Sequence, residues 1–123
     1  MEVKPKKKRI TVQSAKGKGR RFQQWIAQRI ADITGFKFEK DGDIESRAMG
    51  QSGTDVRMSK AVLEQFPFSV EAKNCESWAV HSWIEQAKAN QMENTDWIIF
   101  AKRNHTKPVV ILDAEAFFKI VSQ

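Results

Sequence analysis

Residues 53–73 read Gly53-Thr54-Asp55-Val56-Arg57-Met58-Ser59-Lys60-Ala61-Val62-Leu63-Glu64-Gln65-Phe66-Pro67-Phe68-Ser69-Val70-Glu71-Ala72-Lys73. Two alternating runs in this stretch decide the fold. Side chains in a strand alternate between its two faces. The run 54–59 puts Thr54, Val56 and Met58 on one face and Asp55, Arg57 and Ser59 on the other. The run 66–73, interrupted early by Pro67, puts Phe68, Val70 and Ala72 on one face and Ser69, Glu71 and Lys73 on the other. Each strand therefore has one apolar face and one chemically loaded face. The residues between the two runs read as irregular.

Working outward, Phe36-Lys37-Phe38-Glu39 also alternates and reads as a strand. Asp41-Gly42-Asp43 is turn chemistry. Residues 44–53, with Ser46, Arg47, Gly50 and Ser52, read as a polar loop. Before them, Phe22, Ile26, Ile30 and Ile33 step by four, four and three. That is one helical stripe over about residues 19–34, widened by Trp25 and Ala27 and closed by Gly35. Downstream, residues 77–91 read as a helix with Val80, Ile84, Ala87 and Gln91 on one face. Trp83, Gln86 and Asn90 lie beside one another on the same helix. Residues 97–101 and 108–112 are short apolar strands, and Asp113 caps a last helix. The order α-β-β-β-α-β-β-α predicts an α/β fold, a mixed central β-sheet flanked by helices.

A chain of 123 residues suits one domain with its own core. Its single cysteine excludes an internal disulfide framework. No apolar run is long enough for a transmembrane helix, and the basic N-terminus lacks the apolar stretch of a secretory signal. The expected setting is soluble and cytoplasmic. Pro5-Lys6-Lys7-Lys8-Arg9 makes a nuclear location the minor alternative. Net charge is +6, and it is unevenly placed. Residues 1–21 hold nine Lys or Arg against one acid, whereas residues 22–123 hold twelve against fourteen. Residues 1–13 read as a flexible basic arm, and residues 14–123 as the domain. Such an arm suits a polyanion, whose counterions it releases on binding.

The loaded strand faces permit specific chemistry. Magnesium takes hard oxygen ligands, commonly one or two protein carboxylates. Asp55 and Glu71 supply two, and the carbonyl of Ala72 a further oxygen. Lys73 lies two residues past Glu71 on the same face, placed to orient water or stabilise developing charge. Taken alone, a Glu-x-Lys pair is usually a surface ion pair worth about 0–1 kcal/mol. The combination with a glycine-preceded Asp and a following helix carrying Gln86 argues for a site. Arg57 shares the face of Asp55, and Ser46, Arg47 and Ser52 are candidates to touch a phosphate backbone. Cys75 reads as a small buried residue. His81 and His105 lack the spacing of a zinc site. Trp25, Trp78, Trp83 and Trp97 read as core, Trp78 being the one expected to be most exposed.

Gly53-Thr54-Asp55 followed by Glu71-Ala72-Lys73 resembles the PD-(D/E)xK nuclease superfamily, in the element order of its core. The resemblance spans about residues 16–120 and is nearest to small Holliday-junction-resolvase-like endonucleases. The lead Lys16-Gly17-Lys18-Gly19-Arg20-Arg21, the run Met49-Gly50-Gln51-Ser52-Gly53, the Trp83/Gln86 helix and the strand Pro108–Leu112 fit that group. It implies Asp55 and Glu71 as metal ligands, Lys73 as the catalytic lysine and Gln86 as a glutamine near the site. It further implies Mg²⁺ (with Mn²⁺ as a substitute), a homodimer and branched DNA such as a four-way junction. Lys16, Lys18, Arg20 and Arg21 would grip its phosphates. Many resolvases of this type carry a metal-assisting Glu on the first helix. Here Gln23 and Gln24 stand in its place. Two alternatives remain: a non-catalytic DNA-binding module with the nuclease fold, and a repair or restriction-like nuclease on linear duplex.

Overall fold

The computed structural model describes residues 12–48 and 53–123. The apolar stripe builds the first element, α1 (Val12–Thr34). Phe22, Ile26, Ala27, Ile30 and Ala31 are buried along it. Two members of the expected stripe differ: Ile33 is 73% exposed and Trp25 45% exposed. Ile33 shares the angular position of Phe22 and Ile26 but lies in the last turn of the helix, where it stands in solvent while Ala31 is buried. The helix also starts earlier than residue 19, running through Gly17 and Gly19 despite their poor intrinsic propensity. It stops at Gly35, whose φ of +79° accommodates the reversal while its N–H donates to Ala31 O at 2.9 Å. Residues 1–11 of the expected arm lie outside the described residues.

The alternating Phe36–Glu39 run is not a strand. Phe38 forms one isolated bridge to Ile44, and Phe36 and Phe38 instead pack against the core. The strand lies later, in the stretch read as a polar loop: β1 (Ile44–Ser46) pairs antiparallel with β2 (Val56–Met58). The stretch read as irregular holds a short helix, α2 (Lys60–Gln65), N-capped by Ser59, whose Oγ accepts from Val62 N. Next come β3 (Phe68–Asn74), α3 (Val80–Asn90), β4 (Asp96–Lys102), β5 (Val109–Leu112) and α4 (Ala114–Val121). Asp113 caps α4 as expected, accepting from Glu115 N and Ala116 N.

β3, β4 and β5 form one mixed sheet, parallel between β3 and β4 and antiparallel between β4 and β5. β1 and β2 form a separate pair rather than extending it. The sheet packs between two layers. On one face, Val70 and Ile98 join the buried stripe of α1 together with Ile44, Val56, Met58 and Val62. On the other, Trp97, Ile99 and Ala101 pack with Trp83 and Ala87 of α3. Full burial of side chains of this size contributes about 1.5–3 kcal/mol each. The mixed α/β fold with helices on both sides of the sheet is the one the element order predicted.

Candidate active site

The site forms at the free edge of β3, because β4 occupies only the other edge. Asp55 closes that free edge twice. Its N–H donates to Val70 O at 2.9 Å, and its Oδ2 accepts from Ala72 N at 2.7 Å. Asp55 reaches this position through the turn before β2. Gly53 takes a φ of +97°, disfavoured for any L side chain, and Arg47 packs within 3.7 Å of where a Cβ would stand. Arg47 then locks the turn: its Nε donates to Thr54 O at 2.7 Å and its N–H to Asp55 O at 2.8 Å. N–H and C=O of one strand residue point to the same edge, so the Ala72 carbonyl also lies on the Asp55 side.

The alternation along β3 is as the sequence predicts. Phe68 and Ala72 pack with Val70 on the α1 face, while Glu71 and Lys73 turn toward α3. Glu71 is only 1% exposed. Its Oε1 accepts from Asn90 Nδ2 at 2.9 Å, and Lys73 Nζ donates to Gln86 Oε1 at 2.7 Å. Gln86 thus lies against Lys73, and Asn90, which the sequence reading left as a helix neighbour, lies against Glu71. The signal was present: Gln86 and Asn90 are one turn apart on one face, matching Lys73 and Glu71 two residues apart on the strand.

Glu71 Oε2 is buried without a hydrogen-bond partner among the described residues. Loss of solvent raises the Glu71 carboxyl to about 7, against the hydrogen bond from Asn90, and the negative charge of Asp55 raises it further. Asp55 is also raised, first by burial, against the Ala72 N–H and the Lys73 and Arg47 charges. Two desolvated carboxylates thus face each other, one with an unsatisfied oxygen. A proton or a dication relieves both. Two carboxylates and a strand-edge carbonyl are the hard oxygen donors a divalent cation prefers, so these residues fit one. Among the described residues, no three His, Cys, Asp or Glu side chains gather into a metal cluster.

The candidate phosphate-gripping residues divide around α1. Arg20, Ser46, Arg47 and Arg57 line one cleft of about 380 Å³, together with Gln24 and Glu45. Arg57 is not a free cation there: it pairs with Glu45 Oε2 at 3.0 Å and also bonds Gly42 O. Lys18 and Arg21 line a second cleft, of about 400 Å³. Lys16 is exposed on α1, and Ser52 lies outside the described residues, as does the run 49–51. Gln23 is buried, with Ser46 Oγ 3.5 Å from its Oε1. Cys75 is half-buried, its Sγ donating to Ser77 O. Trp78 is half-buried, tied by its Nε1–H to Cys75 O, so Trp25 and not Trp78 is the exposed tryptophan.

A mixed sheet with Asp at the turn before one strand and Glu-x-Lys on the next defines the class: a nuclease of PD-(D/E)xK type. A family model described as a phage putative PDDEXK endonuclease matches residues 14–123, and the chain belongs to that family. Nucleases of this type generally use divalent metals. No curated protein and no solved structure matches the chain. No helix among the described residues is long and apolar enough to cross a membrane.

Proposed function

We propose that the protein is a magnesium-dependent DNA endonuclease that cuts branched DNA, four-way junctions foremost, as a homodimer in the cytoplasm. Mn²⁺ substitutes for Mg²⁺ in this reading, and residues 14–123 carry the activity behind the basic arm of residues 1–13. The observation that carries it is the meeting of Asp55, Glu71 and Lys73 at one strand edge, with Glu71 Oε2 buried and unsatisfied. Asp55, Glu71 and the Ala72 carbonyl would hold the cation. The chemistry supplied by bound Mg²⁺ is neutralisation of phosphate charge and acidification of water. The chain's own residues do the rest. Asn90 fixes Glu71 in one orientation, and Gln86 holds the Lys73 ammonium beside the carboxylates, where it stabilises charge developing on the phosphate. Arg20 and Arg47 grip the backbone from their cleft, while Lys16, Lys18 and Arg21 extend that grip along α1.

Branched DNA and the dimer rest on the resemblance, since symmetric cutting of a four-way junction takes two sites. The exposed apolar side chains Val109, Val110, Phe117, Phe118 and Val121 support a second copy as their cover. Four-way, flap and linear substrates are to be compared in one Mg²⁺ titration. The four-way junction should be cut fastest, and Asp55→Asn and Lys73→Ala should each lower cutting by at least about a hundredfold. Undiminished cutting by Asp55→Asn would overturn the mechanism, and faster cutting of linear duplex would overturn the substrate. A second reading, a DNA-binding module without turnover, is favoured by Gln23 standing on α1 in place of a Glu. It predicts salt-sensitive binding and no product with either metal.

A further inference from the structure

The second cleft has a composition that phosphate binding alone does not explain. It opens at the C-terminal ends of the parallel strands β3 and β4, where Asn74 and Lys102 stand opposite each other. Ligands of open α/β sheets characteristically bind outside those strand ends. Lys18, Arg21 and His105 add to its rim, and the ring of Trp25 forms part of its wall. That ring is braced by Phe22 behind it, with centroids 6.0 Å apart and planes 18° from parallel, yet it remains 45% exposed. Arg29, an exposed side chain, lies over the ring 5.8 Å from its centroid, so a base stacking there takes the place of that guanidinium. Asn74 Oδ1, beside the cleft, is buried without a hydrogen-bond partner among the described residues. Asn74 directly follows the site residue Lys73, on the opposite face of the strand.

We infer that this cleft is a subsite for an unpaired nucleotide, whose base stacks on Trp25 while Lys18, Arg21 and Lys102 take the flanking phosphates. A base within a duplex hides its face in the stack and cannot lie flat against an indole. An unstacked nucleotide offers both a planar face and a phosphate, the pairing that aromatic and basic side chains recognise together in single-stranded DNA. The first cleft, richer in arginine and without an aromatic wall, holds backbone only. The enzyme would therefore distinguish DNA that frees a nucleotide near the cut from DNA that does not. The DNA substrate itself rests on the endonuclease reading above.

The test uses the full chain without divalent metal, so that nothing is cut. Anisotropy titrations compare a labelled blunt duplex with the same duplex bearing a single-stranded thymidine tail. The wild type should bind the tailed DNA roughly tenfold more tightly, within the range that stacking on one aromatic side chain gives. Trp25→Leu should bring the two affinities together, and Trp25→Phe should keep most of the difference. Oligothymidine should also quench tryptophan emission in the wild type and much less in Trp25→Phe. A tail preference that survives in Trp25→Leu, or a wild type with none, overturns the inference. A protein that prefers the tail through Trp25 yet cuts no DNA with metal overturns the endonuclease reading and leaves the subsite standing. One that cuts with no Trp25-dependent preference does the reverse.

Discussion

At the residue scale the informative group is Glu71. A carboxyl raised from 4.5 to about 7 binds its proton more tightly in the folded chain than in the unfolded one. Stability then falls as pH rises through that window, because the native state is the one holding the extra proton. Metal-free protein should accordingly have a lower thermal midpoint at pH 7.5 than at pH 5, and Glu71→Gln should flatten that dependence. Millimolar Mg²⁺ should recover the loss at pH 7.5 in the wild type and not in the variant. Calorimetry at several pH values checks all three, and a wild type that gains stability toward pH 7.5 would contradict the burial argument. The shared face of Glu71 and Lys73 was legible because alternation along a strand is a two-residue rule that needs no tertiary knowledge; the expected strand 54–59 is observed only over Val56–Met58, and Asp55 meets β3 from the turn before it. Arg57 was only half legible. Its strand face was readable, but its partner Glu45 sits on β1, a strand the sequence concealed.

At the scale of elements, α3 acts as a ruler laid against β3. Asn90 meets Glu71 and Gln86 meets Lys73, so the helix runs opposite to the strand. One helical turn advances about 5.4 Å and two strand residues about 6.6 Å, close enough for two amides to serve two charged groups. Separate substitutions should separate the two duties. Asn90→Ala should weaken Mg²⁺ affinity about tenfold, as loss of a group orienting a ligand does. Gln86→Ala should lower the cleavage rate at saturating metal with little change in metal affinity. Metal titrations of cleavage rate distinguish the two, and identical metal curves for both variants would refute the division. The elements that escaped the sequence are short ones. α2 has too few residues to show a helical period, and β1 has Ile44 as its sole fully buried side chain. Phe36–Glu39 misled because an irregular segment laying two phenylalanines on a core also alternates.

For the whole molecule, the basic clefts border α1, while most of the exposed large apolar side chains among the described residues lie on β5 and α4. Arg20 and Arg21, about 100° apart around α1, line one cleft each. Exposed apolar side chains gather instead on the last strand and helix, where Phe118 is 62% and Val121 63% exposed. If a second copy covers them, Phe118→Asp should shift the protein from dimer to monomer in sedimentation velocity and leave metal-dependent stabilisation intact. A wild type that sediments as a monomer at every concentration would remove the dimer. This distribution was not legible beforehand. Net charge is readable from composition, but the side of α1 to which each arginine turns depends on packing across the sheet. One further consequence follows from Asp55 lying along β3. An unpaired strand edge is an invitation for other chains to add to it, and here the acid itself fills the place of a neighbour, through Val70 O and Ala72 N. The two ways of removing its charge are therefore unequal. Asp55→Asn keeps an oxygen for Ala72 N–H and should stay soluble on heating, whereas Asp55→Ala should leave that N–H bare and aggregate sooner in light-scattering ramps.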